Sequence, residues 1–153
     1  MSYEKFVEEY LSKAFLKKQK TSFLSVEKLI NRSLKDLKAA KANLTIDEGI
    51  AYTVAYLAML HAGRAFMFLK GFRPSDGYQH KTVVEFMSYS LGLEYKSIVE
   101  RFDRMRRKRN IFTYEVDVSI SKTEADSAFE IAVKFVDLIK EVIKKNPLAH
   151  FKF

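Results

Sequence analysis

A chain of 153 residues and 17.8 kDa is one domain's worth and long enough to enclose a core, and a hydrophobic content of 48% with 14% aromatics excludes a disordered chain. No cysteine is present, which removes disulfides, thiolate metal sites and a cysteine nucleophile, while 5 glycines and 2 prolines suit long helices with few turns. The net charge of +8, from 27 basic against 19 acidic residues, favours anionic partners such as nucleic acid, a nucleotide or an acidic protein.

The amino-terminal "MSYEKFVEEYL" mixes charges and lacks the basic end and apolar stretch of a signal peptide, so a cytoplasmic protein is expected. Residues 3–19 place Phe6, Val7, Tyr10, Leu11, Ala14 and Phe15 at helical spacing and end in "KKQK", cations suited to the negative end of a helix. Ser25 reads as the cap of a second helix whose stripe is Val26, Leu29, Ile30, Leu34 and Leu37. "TIDE", Thr45 to Glu48, has the capping-box pattern for a third.

That third helix contains "GIAYTVAYLAMLHAGRAFMFL", residues 49–69, long enough to cross a bilayer. Arg64 lies well inside it, however, and a central arginine costs roughly 2.5–3.5 kcal/mol on insertion. No membrane association is expected; the segment reads as the central helix of a bundle, apolar nearly all round. Ala51, Ala55, Ala58, Ala62 and Ala65 recur at steps of four and three, a row of small residues against which another helix can pack closely.

"GFRPSDGYQ" at 71–79 is the clearest loop, with Pro74 and the Asp76-Gly77 turn pair. A shorter helix follows over about 80–90, broken by Gly92, and another over about 94–112. "YEVDVSI" alternates Tyr114, Val116, Val118 and Ile120 with polar residues and reads as a short extended connection, with the preceding helix ending near residue 113. "SKTE", Ser121 to Glu124, is a second capping box, opening a final helix with Ala128, Ala132, Phe135, Ile139, Val142 and Ile143 inward and Asn146-Pro147 after it. The whole chain reads as a single all-α domain, 1–153: an up-and-down helical bundle of about five to six helices with one short extended connection.

The segment "RMRRKRNIFTYE", residues 104–115, holds five basic side chains in six positions. At about 100° per residue, Tyr95, Ile98, Val99, Phe102 and Met105 share one stripe, and two turns on from Phe102 lies Arg109. Arg104, Arg107 and Lys108 fall opposite, and Arg106 at the stripe's edge. An inward guanidinium costs several kcal/mol unless it is paired or faces a polar cavity. Pairing with Asp47 or Glu48 across the bundle is the plain structural alternative to a working site.

Other chemistries find little support. His61, His80 and His150 lie on different elements, and no Glu-x-x-His pair is present, so no metal or other cofactor is expected. His61 reads as a satisfied histidine of the core. Glycine-rich phosphate loops are absent, and no Ser-His-acid grouping stands out.

"AYTVAYLAMLHAGRAFMFLKGFRPSDGYQHKTVVEFM" resembles the helix–loop–helix centre of the HEPN domain family, in its alanine-rich helix, its "GFRP" turn and the His80 that follows. "RKRNIFTYE" resembles the family's site motif, an arginine and a polar residue followed four to six residues later by histidine. The likeness covers about residues 25–145. It implies a compact helical domain that commonly dimerises, with two motif copies meeting at a cleft. Some members are metal-independent ribonucleases, several of them toxins; others pair with a small nucleotidyltransferase or bind nucleotides.

Carried over by position, Arg109 matches the motif arginine and Asn110 its polar neighbour, while Tyr114 stands where the histidine is expected. No histidine lies between His80 and His150. A tyrosine, with an ordinary pKa near 10, is a poor general base at pH 7. On a continued helix Tyr114 also lies about 140° from Arg109, so the two converge only if the helix ends between them or they meet across a dimer.

The leading expectation is a nucleotide- or RNA-phosphate-binding protein, a homodimer, acting beside a small nucleotidyltransferase in a toxin–antitoxin-like or defence setting. Arg101, Arg104, Arg106, Arg107, Lys108 and Arg109 are the candidate anion contacts. Two alternatives stand beside it: a metal-independent endoribonuclease using Arg109, Asn110 and Tyr114, and a structural interaction module without catalysis.

Overall fold

The computed structural model describes residues 1–75, 79–148 and 151–153. Six helices occur among them: α1 (Tyr3–Ser12), α2 (Phe23–Asn43), α3 (Glu48–Leu69), α4 (Gln79–Ser90), α5 (Lys96–Tyr114) and α6 (Lys122–Lys144), with a 3-10 turn at Leu93–Tyr95 before α5. The fold is an all-α bundle. Two short strands, β1 (Leu16–Lys18) and β2 (Phe72–Pro74), pair antiparallel with Leu16 opposite Pro74. The Asp76-Gly77 turn lies outside the described residues, as does His150.

Helix α3 is the centre, in contact with α2, α4, α5 and α6. Buried side chains occur around its circumference, from Tyr52 and Tyr56 to Phe66 and Met67. The five alanines of the row are all fully buried, and α2 doubles back along α3. The Ser33 hydroxyl, itself buried, donates to the Ala58 carbonyl at 2.6 Å. Only a methyl-sized side chain at the contact lets another helix's side chain reach backbone in that way. Gly63 does the same for α4, since a Cβ there would sit 2.6 Å from Val83 Cγ1. α6 closes the core with one stripe, Ala128, Ala132, Phe135, Ile139 and Ile143, as its periodicity requires; Val142 is half-buried beside it.

Helix ends show where local chemistry overrules the hydrophobic pattern. The helix expected over 3–19 stops at Ser12. Ala14 takes a left-handed φ of 58°, its N–H donates to the Leu11 carbonyl, and the Phe15 N–H donates to the Tyr10 carbonyl. This is a Schellman ending with alanine in glycine's usual place, supported by Tyr10 and Phe15 rings 5.5 Å apart. "KKQK" therefore begins in β1 rather than closing a helix. α2 is capped by Ser22, whose hydroxyl accepts from the Ser25 N–H, so Ser25 lies inside the helix. α3 is capped by Asp47, which accepts from the Ile50 N–H at 2.9 Å, and Thr45 belongs to the preceding turn. The Ser121–Glu124 capping box is present with both reciprocal bonds.

Residues 115–121 join α5 to α6 without strand pairing, and their alternation does not become alternating burial: Val116 is 97% exposed while Ile120 is buried. An alternating run needs a neighbouring edge, and the one small sheet among the described residues forms elsewhere. Among the described residues no helix is long and apolar enough to cross a membrane.

Candidate phosphate-binding cleft

The first turn of α4 and the last turns of α5 enclose a cleft of about 460 Å³, lined by Gln79, His80, Lys81, Arg106, Arg109, Asn110 and Tyr114. Two close approaches set its walls. Gly63 lets α4 settle onto α3, and Gly49, at the start of α3, takes the Phe112 ring of α5 in contact that a side chain would fill. Arg109 and Asn110 thus stand on a helix pinned near its end, and His80 on one pinned near its start.

Arg109 is half-buried. Its Nε is buried without a hydrogen-bond partner, and Nη1 donates to Asn110 Oδ1 at 3.2 Å. It makes no ion pair among the described residues, with Asp47, Glu48 or any other carboxylate. Its neighbours in the cleft differ: Arg106 is held by Asp103 at 2.9 Å, and Lys81 faces Glu85 at 3.7 Å. Among the described residues no carboxylate lines the cleft. Desolvating a guanidinium with no counter-charge is unfavourable, and Arg109 has none among the described residues.

The basic run divides in space. Arg101 donates to Ser127 Oγ at 3.2 Å and Lys108 faces Glu124 at 3.4 Å, both tying α5 to α6. Arg107 leans on Asp103 at 3.3 Å, and exposed Arg104 borders two other surface clefts. Of the six cations proposed as anion contacts, Arg106 and Arg109 line this cleft. Tyr114 lines it too, although α5 remains helical through Tyr114. The side chain is 79% exposed and stands at the mouth, where the length of both side chains spans the angular separation that the backbone imposes.

His80 is the group the motif reading did not bring to the site. Its Nδ1 lies 2.8 Å from the Tyr56 hydroxyl, and the two rings stack at 5.6 Å. Burial, then the charges of Arg109, Arg106, Arg64 and His61, holds the imidazole below the ordinary histidine range, so it is neutral at pH 7. Burial pushes the Tyr56 phenol up, against the opposing fields of Arg106 and Arg109. The cleft therefore joins a neutral imidazole, an uncompensated guanidinium, an amide and a phenol. The other histidine of the core is unlike it: His61 Nδ1 meets Asp36 at 2.6 Å, a satisfied pair as its sequence position suggests.

Compared with known protein families, the sequence matches the HEPN domain over residues 26–142. The chain belongs to the HEPN family. Membership ties it to nucleotide- or RNA-related function, and the matched span contains every residue that lines the cleft. No curated protein matches the sequence.

Proposed function

We propose that this HEPN protein binds the phosphate of a nucleotide or of RNA in the α4–α5 cleft, with Arg109 as the principal contact and Arg106 and Asn110 beside it. The observation that carries the reading is the buried, unpartnered Nε of Arg109 in a cleft whose described lining contains no carboxylate. A guanidinium fork presents paired N–H donors that match phosphate oxygens. Fluorescence anisotropy with a labelled single-stranded RNA, in chelator, tests it. Arg109→Ala is expected to weaken binding about tenfold or more, the scale of a hydrogen bond to a charged group. Arg101→Ala, outside the cleft, is expected to weaken it much less. Equal losses in the two variants would overturn the assignment. Arg109→Ala is also expected to stay folded, with stability equal to or above wild type, because it removes a desolvated charge.

The reading extends to a homodimer. Ile46 and Ile50, either side of the start of α3, and Ile111, Tyr114 and Val116, around the end of α5, are large hydrophobic side chains left exposed, and Tyr114 lines the cleft. A two-fold axis through such a patch would cover it and bring two clefts together. Light scattering at tens of micromolar checks this, and a monomer would count against it. A small nucleotidyltransferase partner, and a toxin–antitoxin-like or defence setting in the cytoplasm, complete the proposal on the strength of the family resemblance. Co-purification with the product of an adjacent nucleotidyltransferase gene is the test.

Metal-independent RNA cleavage through Arg109, Asn110 and Tyr114 is the second reading. It is favoured by one observation: the three residues line one cleft with His80, whose ordinary titration range is far closer to neutrality than that of tyrosine. Mixed RNA incubated in chelator with wild type and Arg109→Ala decides it. Cleavage lost in the variant would support an enzyme, and intact RNA in both would leave binding as the activity.

A further inference from the structure

The cleft holds one cation too few for a doubly charged ligand. Arg106 and Lys81 each face a carboxylate, Asp103 and Glu85, while Arg109 has no counter-charge among the described residues. A singly charged phosphodiester would balance Arg109. A terminal phosphate, with close to two charges at neutral pH, would leave one negative charge without a partner.

We propose that His80 is the second cationic ligand of this cleft, and that it takes up a proton when a doubly charged terminal phosphate docks beside Arg109. The inference rests on the phosphate-binding reading above and adds the class of phosphate and the residue that selects it. The geometry is suited to the change. With Nδ1 engaged by the Tyr56 hydroxyl, Nε2 is the nitrogen without a partner among the described residues. A protonated ring donates from both nitrogens: Nδ1–H to the Tyr56 oxygen and Nε2–H to a phosphate oxygen. Neither interaction requires the ring to leave its stack on Tyr56.

The charges around the ring explain why the proton comes only with the ligand. α3 contributes Tyr56, Arg64 and His61, the last of these held by Asp36 of α2. α5 contributes Arg106 and Arg109, with Asp103 on Arg106, and α4 contributes neighbouring Lys81. In the empty cleft these cations oppose a charged imidazole. A dianion among them reverses the local field, and an opposite charge within about 4–6 Å of a histidine raises its pKa by about one to three pH units.

The experiment is a proton NMR titration of the histidine ring signals from pH 5 to 8.5 on the full chain. It is run in sodium chloride, in sodium sulfate and in sodium dimethyl phosphate at matched ionic strength. Sulfate is a dianion across this range and dimethyl phosphate a monoanion, so neither ligand contributes a proton of its own. His80→Gln assigns the His80 signal. The expected result is a rise of about one pH unit or more in the His80 midpoint in sulfate, a much smaller rise in dimethyl phosphate, and no rise in Arg109→Ala. Sulfate-induced shifts of the Asn110 side-chain amide that disappear in Arg109→Ala report docking independently. Docking without movement of the His80 midpoint would overturn the proposal and leave the phosphate site standing. An equal rise in dimethyl phosphate would overturn the assignment to a dianion. Absence of any Arg109-dependent shift would remove the phosphate site, and this proposal with it. Competition against sulfate by uridine 5′-monophosphate and by a 5′-phosphorylated RNA tetramer then separates a free nucleotide from an RNA end.

Discussion

The two sides of α3 meet their histidines in different ways. On the α2 side Ser33 bonds the Ala58 carbonyl, His61 meets Asp36, and the alanine row holds the helices close, while the Nε of Arg64 is buried without a hydrogen-bond partner. On the α4–α5 side the corresponding histidine meets a phenol, and Arg109 has an orphaned Nε in a cleft that no carboxylate of the described residues lines. Among the described residues one histidine has an acid as its partner and the other a phenol. A half-buried cation without a counter-charge lowers stability, and the proposed phosphate would offset that cost.

Changes on the closed side should act on stability, and the largest is expected at the alanine row. Ala58→Leu forces a larger side chain between α2 and α3 and displaces the Ser33 hydroxyl from its acceptor. A loss of about 1–3 kcal/mol or more is expected from chemical denaturation. A loss below about half a kcal/mol would mean that the seam is looser than Ser33 implies.

Next is Asp36→Ala, which leaves His61 without its partner and should cost about 1–3 kcal/mol, while RNA affinity stays near wild type. A fall in affinity matching that of Arg109→Ala would show that the two sides are not separable. The counterpart on the open side, Tyr56→Phe, removes one hydrogen bond from His80. A cost of about 1 kcal/mol is expected, smaller than that of Asp36→Ala, because no charged partner is lost.

The smallest effect is in the pH dependence of stability. His80 lies below its ordinary value in the folded chain, so the unfolded chain takes that proton first as pH falls. The stability associated with a neutral ring is complete above the unfolded value near 6.5 and is lost as pH falls toward the folded value. Melting temperature between pH 7 and pH 5 should therefore fall further in wild type than in His80→Gln. Identical slopes would contradict the burial and the surrounding cations that hold the ring below its ordinary value.

The sequence carried the helices well and their ends less well, for reasons visible in particular residues. Ser121 to Glu124 is legible because both halves of the box are side chains in the right order, and the structure contains both bonds. The end of α1 is hidden because Ala14 takes a left-handed conformation that the sequence would signal with glycine. Ser22 and Ser25 are both competent caps, and Asp47 competes with Thr45; the choice rests on where tertiary packing starts each helix. Within the candidate site, Arg109 could be placed because its spacing from Phe102 makes it inward on an otherwise apolar stripe. His80 could not, since it comes from another helix and no local spacing links residue 80 to residue 109. Its place after the "GFRP" turn was the available signal. The alternation of 114–120 suggests an extended run, but pairing depends on an edge, and among the described residues only the distant pair β1 and β2 has one.

The central claim is that the missing partner of Arg109 is a phosphate. Thermal melting at pH 7 in sodium phosphate against sodium chloride of equal ionic strength tests it most directly, since a ligand that binds only the folded state raises its melting temperature. Phosphate also strengthens burial in general, so both wild type and Arg109→Ala serve as readings of the same salt. The account predicts that wild type gains several degrees more from phosphate than Arg109→Ala does. An equal gain in the two proteins would contradict it.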